Sequence, residues 1–263
     1  MSQIPLCCIE NLSVTYAGAT QPALKDLSLS LAANRRLAII GESGSGKSTL
    51  AKRFAGLLPR SVKSSGTITW NLEPATTPRP GRDIGYVFQD PGASLNPVLT
   101  IGEQVAEAAV RHLGLSWKQA TAHARDLLEQ VQLPHPSSLL KAYPHQLSGG
   151  QRQRVAIAAA ISARPKILIA DEATSALDTI TQGAIARLLD RLVRENGMML
   201  IFITHDIALA SSLADDIAVL KSGRLIEAGE ASRILSHATD AYTRTLIAAH
   251  LDLSTPPLIE SVR

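Results

Sequence analysis

The sequence has few of the features that mark secreted or disulfide-stabilised proteins. Only 2 of its 263 residues are cysteines, and they are the adjacent Cys7 and Cys8. Such a pair excludes a disulfide framework and a four-cysteine metal site, and it fits a reducing compartment. Both cysteines lie in the apolar stretch "IPLCCIENLSV", where core packing is expected and a reactive pair is the alternative.

Long apolar runs and a charge excess are also missing. No uninterrupted apolar run reaches the roughly 18 residues of a membrane-spanning helix, and no basic segment followed by an apolar stretch opens the sequence. We therefore expect any membrane role to come through a partner. The net charge of +3 is small and scattered, so charge alone does not indicate nucleic-acid binding.

The pattern of what is present predicts an α/β protein. With 45% hydrophobic and 19% charged residues, the chain can bury a sizeable core. "CCIENLSVTY" and "ALKDLSLSLA" alternate apolar and polar residues and predict antiparallel strands. "RLAIIG", "KILIAD" and "MMLIFIT" predict buried strands of an open parallel sheet, and "GTITW" and "DIGYVFQD" predict further strands. "NLEPATTPRPGR" is typical of a surface loop.

Helical periodicity dominates the middle of the chain. Residues 91–160 are predicted to form a helical insert, since "IGEQVAEAAVRHLG" and "SWKQATAHARDLLEQVQL" are both amphipathic. "DIAVLKSGRLIEAGE" predicts a hairpin that turns on Ser222-Gly223, "SRILSHATDAYTRTLIAAHL" a closing helix, and "STPPLIESVR" a loose tail. The expected organisation is a core with an antiparallel β subdomain at 1–90 and 161–235, a helical subdomain at 91–160, and a C-terminal helix and tail at 236–263.

The most specific motif is "GESGSGKST", which matches G-x-x-x-x-G-K-[ST] between a predicted buried strand and a helix. Its glycines let backbone N–H groups surround phosphates, Lys47 can reach the β- and γ-phosphates, and the Ser48 hydroxyl can bind Mg²⁺. The predicted nucleotide-binding residues of this loop are Gly41, Glu42, Ser43, Gly44, Ser45, Gly46, Lys47, Ser48 and Thr49.

Polar residues follow three of the predicted strands. Asp171 ends "ILIAD", where a carboxylate can support the magnesium shell, and the adjacent Glu172 suits a general base for the attacking water. His205 follows "LIFIT" at the carboxyl edge of the predicted sheet, which favours a γ-phosphate contact. Gln89 in "VFQD" also lies at a strand end.

A second phosphate-binding motif lies about a hundred residues beyond the first. In "LSGGQ", Ser148 is a predicted N-cap, and Gly149 and Gly150 leave backbone N–H groups uncovered at a helix start. One chain therefore carries two sites suited to an anion.

Together these motifs resemble the nucleotide-binding subunit of ATP-binding-cassette (ABC) transporters over nearly the whole chain. The order is that of the family: P-loop, "FQD", "LSGGQ", "ILIADE", "SALD" and "THD". The resemblance implies a P-loop NTPase (RecA-like) fold with an antiparallel β subdomain and a helical insert. It also explains the two sites, because in that family two subunits pair head to tail and each signature motif contacts the nucleotide held by the partner.

The resemblance assigns roles to individual residues. It implies that Tyr16 stacks on adenine, Gln89 contacts Mg²⁺ and senses the membrane partner, Asp171 supports the metal, Glu172 activates water and His205 contacts the γ-phosphate. Ser148, Gly149, Gly150 and Gln151 are expected to bind the partner's γ-phosphate, and Asp178 to signal across the dimer. The expected cofactors are ATP and Mg²⁺.

A longer run points to a sub-family. "FQDPGASLNPVLTIGEQV" and "YPHQLSGGQRQRV" are similar to the ATPases of oligopeptide, dipeptide and nickel importers. Those ATPases imply a distinct second ATPase subunit, two permease subunits and an extracytoplasmic binding protein, with the chain at the cytoplasmic face of the inner membrane. Two departures are Ala173, where many importers have Pro, and an ending without cysteines after "DAYT". The short ending is more similar to nickel-type ATPases, so nickel or a metal chelate is the expected cargo, and peptides are the alternative.

Three other readings remain open at this point. A soluble family member acting on nucleic acid is disfavoured because the sequence has no long coiled-coil insertion, second cassette or strongly basic face. An exporter half is disfavoured by "SLNP" and by the missing fused membrane domain. A catalytically silent binder is disfavoured by the intact set of Lys47, Glu172 and His205.

Overall fold

The computed structural model describes residues 5–72, 77–174 and 178–250. The strands of these ranges are β1 Cys7–Thr15, β2 Leu24–Leu31, β3 Arg36–Ile40, β4 Lys63–Trp70, β5 Ile84–Val87, β6 Ile167–Asp171, β7 Met199–Ile203, β8 Asp216–Lys221 and β9 Arg224–Glu230. Their helices are α1 Lys47–Phe54, α2 Pro91–Ser94, α3 Ile101–Leu113, α4 Trp117–Gln130, α5 Pro136–Leu139, α6 Gly149–Ile161, α7 Thr179–Asn196, α8 Ile207–Leu213, α9 Ala231–His237 and α10 Ala241–His250, with a 3-10 turn at Pro144–Gln146.

The chain divides into two compact units. The first unit comprises residues 1–78 and 199–263, and the second comprises residues 79–198. The division into segments 1–90, 91–160, 161–235 and 236–263 stays a prediction. The predicted tail at 254–263, part of the predicted loop at 73–76 and the first three residues of "SALD" at 175–177 lie outside the described residues.

An antiparallel sheet forms one layer of the first unit. Its strand order is β2-β1-β4, and Cys7 pairs with Leu31 on one side and with Trp70 on the other. The alternation predicted from the sequence is confirmed, because Cys7 is fully buried whereas Cys8 is only half-buried. Burial, with a smaller contribution from Cys8, raises the pKa of the Cys7 thiol to about 12, so this cysteine is an inert core residue.

The second sheet of the first unit is mainly parallel. Strand β3 pairs in parallel with β7 on one side and with β8 on the other, and β9 adds to β8 in the antiparallel direction. The hairpin predicted between β8 and β9 is confirmed: Ser222 and Gly223 have φ values of 49° and 81°, as its two-residue turn requires. Since β3 and β7 run as continuous apolar strands, their carboxyl ends form one edge of a buried sheet.

Two ion pairs tie the start of β3 to the start of β8. Asp215 accepts hydrogen bonds from the Arg36 backbone N–H at 2.8 Å and from its guanidinium at 3.0 and 2.5 Å. Arg35 makes a matching two-pronged contact with Asp216 at 2.5 and 2.7 Å. Burial raises the pKa of Asp215, but the hydrogen bonds and charge of Arg36 outweigh it and the net pKa lies below its usual value.

We expect Asp215→Asn to lower the free energy of unfolding by about 1–3 kcal/mol at pH 7, since it weakens hydrogen bonds to a charged group. Because the pKa of Asp215 is lower in the folded than in the unfolded protein, the ionised carboxylate stabilises the folded state. This stabilisation is complete above the unfolded pKa of about 3.9 and is lost as the pH falls through the folded pKa. The difference between parent and variant, measured by urea unfolding, should therefore shrink below about pH 4. Asp126→Asn, which removes an exposed ion pair with Arg125, should change little at either pH.

The second unit combines a short parallel strand pair with helices. Strand β5 pairs with β6, Ile84 with Ile167 and Val87 with Ala170. Helices α3, α4 and α6 each begin with a capping box, and the hydrophobic sides of α3 and α4 face each other and α6. The predicted helical character of residues 91–160 is therefore confirmed, with α2 to α6 falling within 91–161.

The C-terminal region differs from the single helix predicted for it. Helix α9 ends at His237 and α10 begins at Ala241. The break arises because the Glu227 carboxylate of β9 accepts hydrogen bonds from the backbone N–H groups of Thr239 and Asp240, at 3.1 and 3.2 Å. A buried carboxylate that needs donors thus overrides the helical periodicity of the sequence.

Candidate functional site

The phosphate-binding loop of the first unit joins β3 to α1, as predicted. Gly41 has a φ of +147°, and a Cβ there would lie 2.1 Å from the Leu220 carbonyl oxygen. Gly46 has a φ of +103°, and its Cβ would lie 2.6 Å from the Ala23 carbonyl oxygen. Only glycine satisfies both the backbone conformation and the space at these two positions.

The polar groups of this loop are arranged to receive an anion. Lys47 is buried, and its Nζ donates to the carbonyl oxygens of Gly41 and Glu42, each at 2.8 Å. The buried Ser45 Oγ has no hydrogen-bond partner among the described residues. A buried ammonium held by two backbone carbonyls, an unsatisfied hydroxyl and the start of α1 together fit a phosphate chain.

Tyr16 lies next to the loop at the end of β1. Its hydroxyl is 3.3 Å from the Thr49 Oγ1, and its side chain is half-buried. The structure therefore places the predicted adenine platform beside α1, at the residue that follows Ser48. Stacking on a base stays a prediction.

His205 lies at the edge of the sheet that carries the loop. Ile39 of β3 pairs with Ile203 of β7 in parallel register, so the residues that follow both strands emerge at the same edge. The Thr204 Oγ1 accepts from the Asp206 N–H at 2.9 Å, which fixes the backbone around the exposed His205. His205 thus lies at the sheet edge that its predicted contact with the γ-phosphate requires.

The predicted acidic residues Asp171 and Glu172 lie at the carboxyl end of β6 in the second unit. Val87 pairs with Ala170, so Gln89 and Glu172 follow neighbouring parallel strands, and the Gln89 Nε2 donates to the Glu172 Oε2 at 2.8 Å. Asp171 accepts from the Tyr86 hydroxyl at 2.7 Å. Their carboxylate and amide oxygens are the ligand type that Mg²⁺ prefers.

Glu172 has an uncommon backbone conformation. Its φ is +48°, which is energetically unfavourable for a non-glycine residue and is found more often at functional sites. The conformation turns the chain sharply after β6 and brings the Glu172 carboxylate to Gln89. Sequence reasoning did not predict this strain.

The signature motif of the second unit forms a capped helix start. Ser148 Oγ accepts from the Gln151 N–H at 3.3 Å, and the Gln151 Oε1 accepts from the Ser148 N–H at 2.9 Å. A Cβ on Gly149 would meet no atom within 4 Å, and the first turn of α6 holds no acidic residue. The helix start is therefore open at Gly149 and carries a positive dipole end with no acidic residue in its first turn.

Asp178 caps α7. Its carboxylate accepts from the Thr181 N–H at 3.0 Å and from the Thr181 Oγ1 at 2.8 Å, and these bonds hold the pKa of the exposed Asp178 below its usual value. The structure thus shows a local capping role, and signalling across a dimer stays a prediction.

Tyr242 is a loop contact that sequence reasoning missed. Its hydroxyl accepts a hydrogen bond from the Glu42 backbone N–H at 3.3 Å, and Lys221 Nζ lies 4.1 Å from the centre of its ring. Burial raises the pKa of Tyr242, partly opposed by the Glu42 N–H. No local sequence signal links residues that are 200 positions apart.

Comparison with known proteins identifies the family. The sequence model described as "ABC transporter" matches residues 24–175, more than half of the chain. The chain belongs to the ABC transporter ATPase family. Two relatives are the peptidoglycan transport ATP-binding protein YejF of Agrobacterium fabrum and the glutathione import ATP-binding protein GsiA of Salmonella typhimurium.

These relatives are longer than the ATPase chain. YejF is 40% identical over 274 residues, covering 97% of this chain and 50% of YejF. GsiA is 41% identical over 253 residues, covering 91% of this chain and 41% of GsiA. The chain therefore spans half or less of the length of these relatives.

Solved structures confirm the predicted fold class of the ATPase. The cassette MJ0796, in a dimeric post-hydrolysis state bound to ADP and phosphate, gives a TM-score of 0.73 at 32% identity and covers 86% of this chain and 98% of its own. The protein cbiO1 of Clostridium perfringens, part of an ABC transporter complex, also gives 0.73, at 31% identity, covering 89% and 91%. Both support the P-loop core with an antiparallel sheet and a helical insert.

Within the part of the ATPase that the structure describes, no helix is both long and apolar enough to cross a membrane. The same described ranges contain no group of three or more His, Cys, Asp or Glu side chains placed to hold a metal ion.

Proposed function

We propose that this ABC ATPase binds ATP with Mg²⁺ and hydrolyses it to energise import through a membrane permease. The observation that carries the proposal is the phosphate-binding loop, in which the buried Lys47 ammonium contacts two backbone carbonyls beside the unsatisfied Ser45 hydroxyl. A triphosphate offers these donors stronger acceptors than neutral carbonyls.

In this proposal, Gly41 to Thr49 hold the triphosphate and Tyr16 stacks on the adenine. Ser48, Gln89 and Asp171 hold Mg²⁺, which would neutralise phosphate charge when bound. Lys47 stabilises negative charge that develops on the phosphates, and His205 donates to the γ-phosphate.

Glu172 is proposed to accept the proton of the attacking water. Its Oε2 already accepts a hydrogen bond from Gln89 at 2.8 Å, so the carboxylate is held in a fixed direction, as a general base requires. Asp171 is orientated separately, by the Tyr86 hydroxyl. In these two hydrogen bonds the neighbouring carboxylates have different donors, which supports their different proposed roles.

The signature motif is proposed to act on the nucleotide of a second ATPase subunit. Ser148, Gly149, Gly150 and Gln151 form an open helix start that suits the partner's γ-phosphate. Each such contact is worth about 0.3–2 kcal/mol, so both composite sites must act together to close the dimer. Asp178 would lie in that interface, and we propose a distinct homologue as the partner.

The membrane partners are proposed to be two permease subunits fed by an extracytoplasmic binding protein, with the ATPase at the cytoplasmic face of the inner membrane. Apolar side chains support a docking role for the segment after β5: Phe88 is 41% exposed and Val98 76% exposed, and both flank "QDPGASLNP". We propose no nucleic-acid partner.

The cargo is proposed to be a peptide or a peptide-like compound. Two relatives support this alternative, because YejF is named for peptidoglycan transport and GsiA for glutathione import. Nickel, the first expectation from the short C-terminal sequence, has no such support among these relatives.

Uptake by cells of the source organism tests the proposal. Parent cells, a Lys47→Ala strain and a Lys52→Ala control strain are given labelled glutathione, a labelled muropeptide or labelled nickel. We expect Lys47→Ala to abolish uptake of one peptide-type cargo, and Lys52→Ala, which changes another lysine of α1, to match the parent. Selective loss of nickel uptake would overturn the peptide proposal, and unchanged uptake of every cargo would overturn import.

A further inference from the structure

The C-terminal helix α10 reaches the phosphate-binding loop through one side chain. The Tyr242 hydroxyl accepts a hydrogen bond from the Glu42 backbone N–H at 3.3 Å. The Lys221 Nζ of β8 lies 4.1 Å from the centre of the tyrosine ring. Three segments of the first unit, the loop, the β8–β9 hairpin and α10, thus meet at Tyr242. None of the motifs that define the nucleotide site includes this residue.

The peptide group between Gly41 and Glu42 is held at both ends. Its carbonyl oxygen, on Gly41, accepts from the Lys47 Nζ at 2.8 Å, and its N–H, on Glu42, donates to Tyr242. Because a peptide group is planar and rotates as one body, a change at one end moves the other. The Tyr242 hydroxyl therefore restrains the carbonyl that Lys47 contacts.

Tyr242 is itself fixed to β9. Glu227, with a side chain only 7% exposed, accepts from the Thr239 N–H, the Thr239 hydroxyl and the Asp240 N–H. The Asp240 Oδ1 then accepts from the Tyr242 N–H at 2.7 Å. This chain of bonds places the start of α10, so the tyrosine contact does not depend on the helix alone.

We propose that Tyr242 is a positioning residue of the nucleotide site, which orientates the Gly41–Glu42 peptide so that the loop is preorganised for phosphate. The inference rests on the proposed function. When phosphate oxygens enter, Lys47 exchanges the carbonyls of Gly41 and Glu42 for them. A peptide anchored by Tyr242 stays at the rim of the loop during this exchange, whereas an unanchored one is free to follow the ammonium.

The test is the affinity of the purified full chain for ATP with Mg²⁺, measured by displacement of a fluorescent ATP analogue. Tyr242→Phe removes the hydroxyl and keeps the ring that contacts Lys221. Loss of the hydroxyl, and with it the hydrogen bond from the Glu42 N–H, should raise the Kd roughly two- to tenfold. The control is Thr245→Ala, which removes a hydroxyl of α10 that donates to the Ala241 carbonyl of its own helix, and its Kd should match the parent.

Thermal unfolding without nucleotide separates positioning from packing. A lower Tm with an unchanged Kd for Tyr242→Phe would mean a structural role only and would overturn the inference. If that variant does not fold, Lys221→Gln, which keeps the hydroxyl but removes the cation beside the ring, should raise the Kd by a smaller factor, and no change would count against the inference.

Lys47→Ala separates failure of this inference from failure of the proposed function. If Lys47→Ala binds ATP as the parent does, the proposed nucleotide site is wrong. If Lys47→Ala loses ATP binding and Tyr242→Phe binds as the parent does, only the role of Tyr242 is wrong.

Discussion

Replacement of Glu172 by Gln is expected to reduce ATP hydrolysis by about 10²–10⁴-fold, the usual contribution of a general base. The substitution keeps the shape of the side chain and its ability to accept from Gln89 through the new amide oxygen, but it removes the basic carboxylate. ATP affinity should therefore change little. Phosphate release by the purified ATPase with its permease measures the rate, and displacement of a fluorescent ATP analogue measures the affinity.

The control for this prediction is Glu195→Gln, an exposed position on α7 of the same unit, which should hydrolyse ATP at the parent rate. Background rates for both parent and Glu172→Gln would instead support the catalytically silent binder. A Glu172→Gln rate equal to an active parent would exclude Glu172 as the base.

Replacement of Lys47 by Ala is expected to weaken ATP binding about 10- to 150-fold, since hydrogen bonds to charged groups contribute about 1.5–3 kcal/mol. The ammonium is buried at the start of α1 and points to two loop carbonyls, so no solvated lysine can replace it. Isothermal titration with ATP and Mg²⁺ measures the loss.

Lys52→Ala, in the last turn of the same helix, should bind ATP like the parent. The Tm of both variants without nucleotide shows whether removing the Lys47 hydrogen bonds to the loop carbonyls also destabilises the folded protein. Equal ATP affinity of Lys47→Ala and the parent would contradict the assignment of the loop.

The sequence predicts strands and motifs correctly where the local residue pattern determines the structure. Alternation predicted β1 and β2 because one side of each strand is buried, and the glycine spacing predicted the loop because only glycine fits at Gly41 and Gly46. Helix α7 was not predicted, although Asp178 as N-cap and Gly197 with a φ of 60° mark its two ends.

Contacts between distant segments could not be predicted in this way. The break before α10 depends on Glu227, and the Tyr242 contact depends on where that break places the helix. The φ of Glu172 likewise has no signature in the sequence. Each of these features is set by tertiary hydrogen bonding, which one sequence read by local pattern does not contain.

The most direct test of the account is cargo accumulation measured together with ATP hydrolysis in proteoliposomes that contain the ATPase and the membrane subunits that co-purify with it. The account predicts that accumulation requires ATP and that Glu172→Gln abolishes both accumulation and hydrolysis, whereas Glu195→Gln abolishes neither. Undiminished accumulation with Glu172→Gln would contradict it.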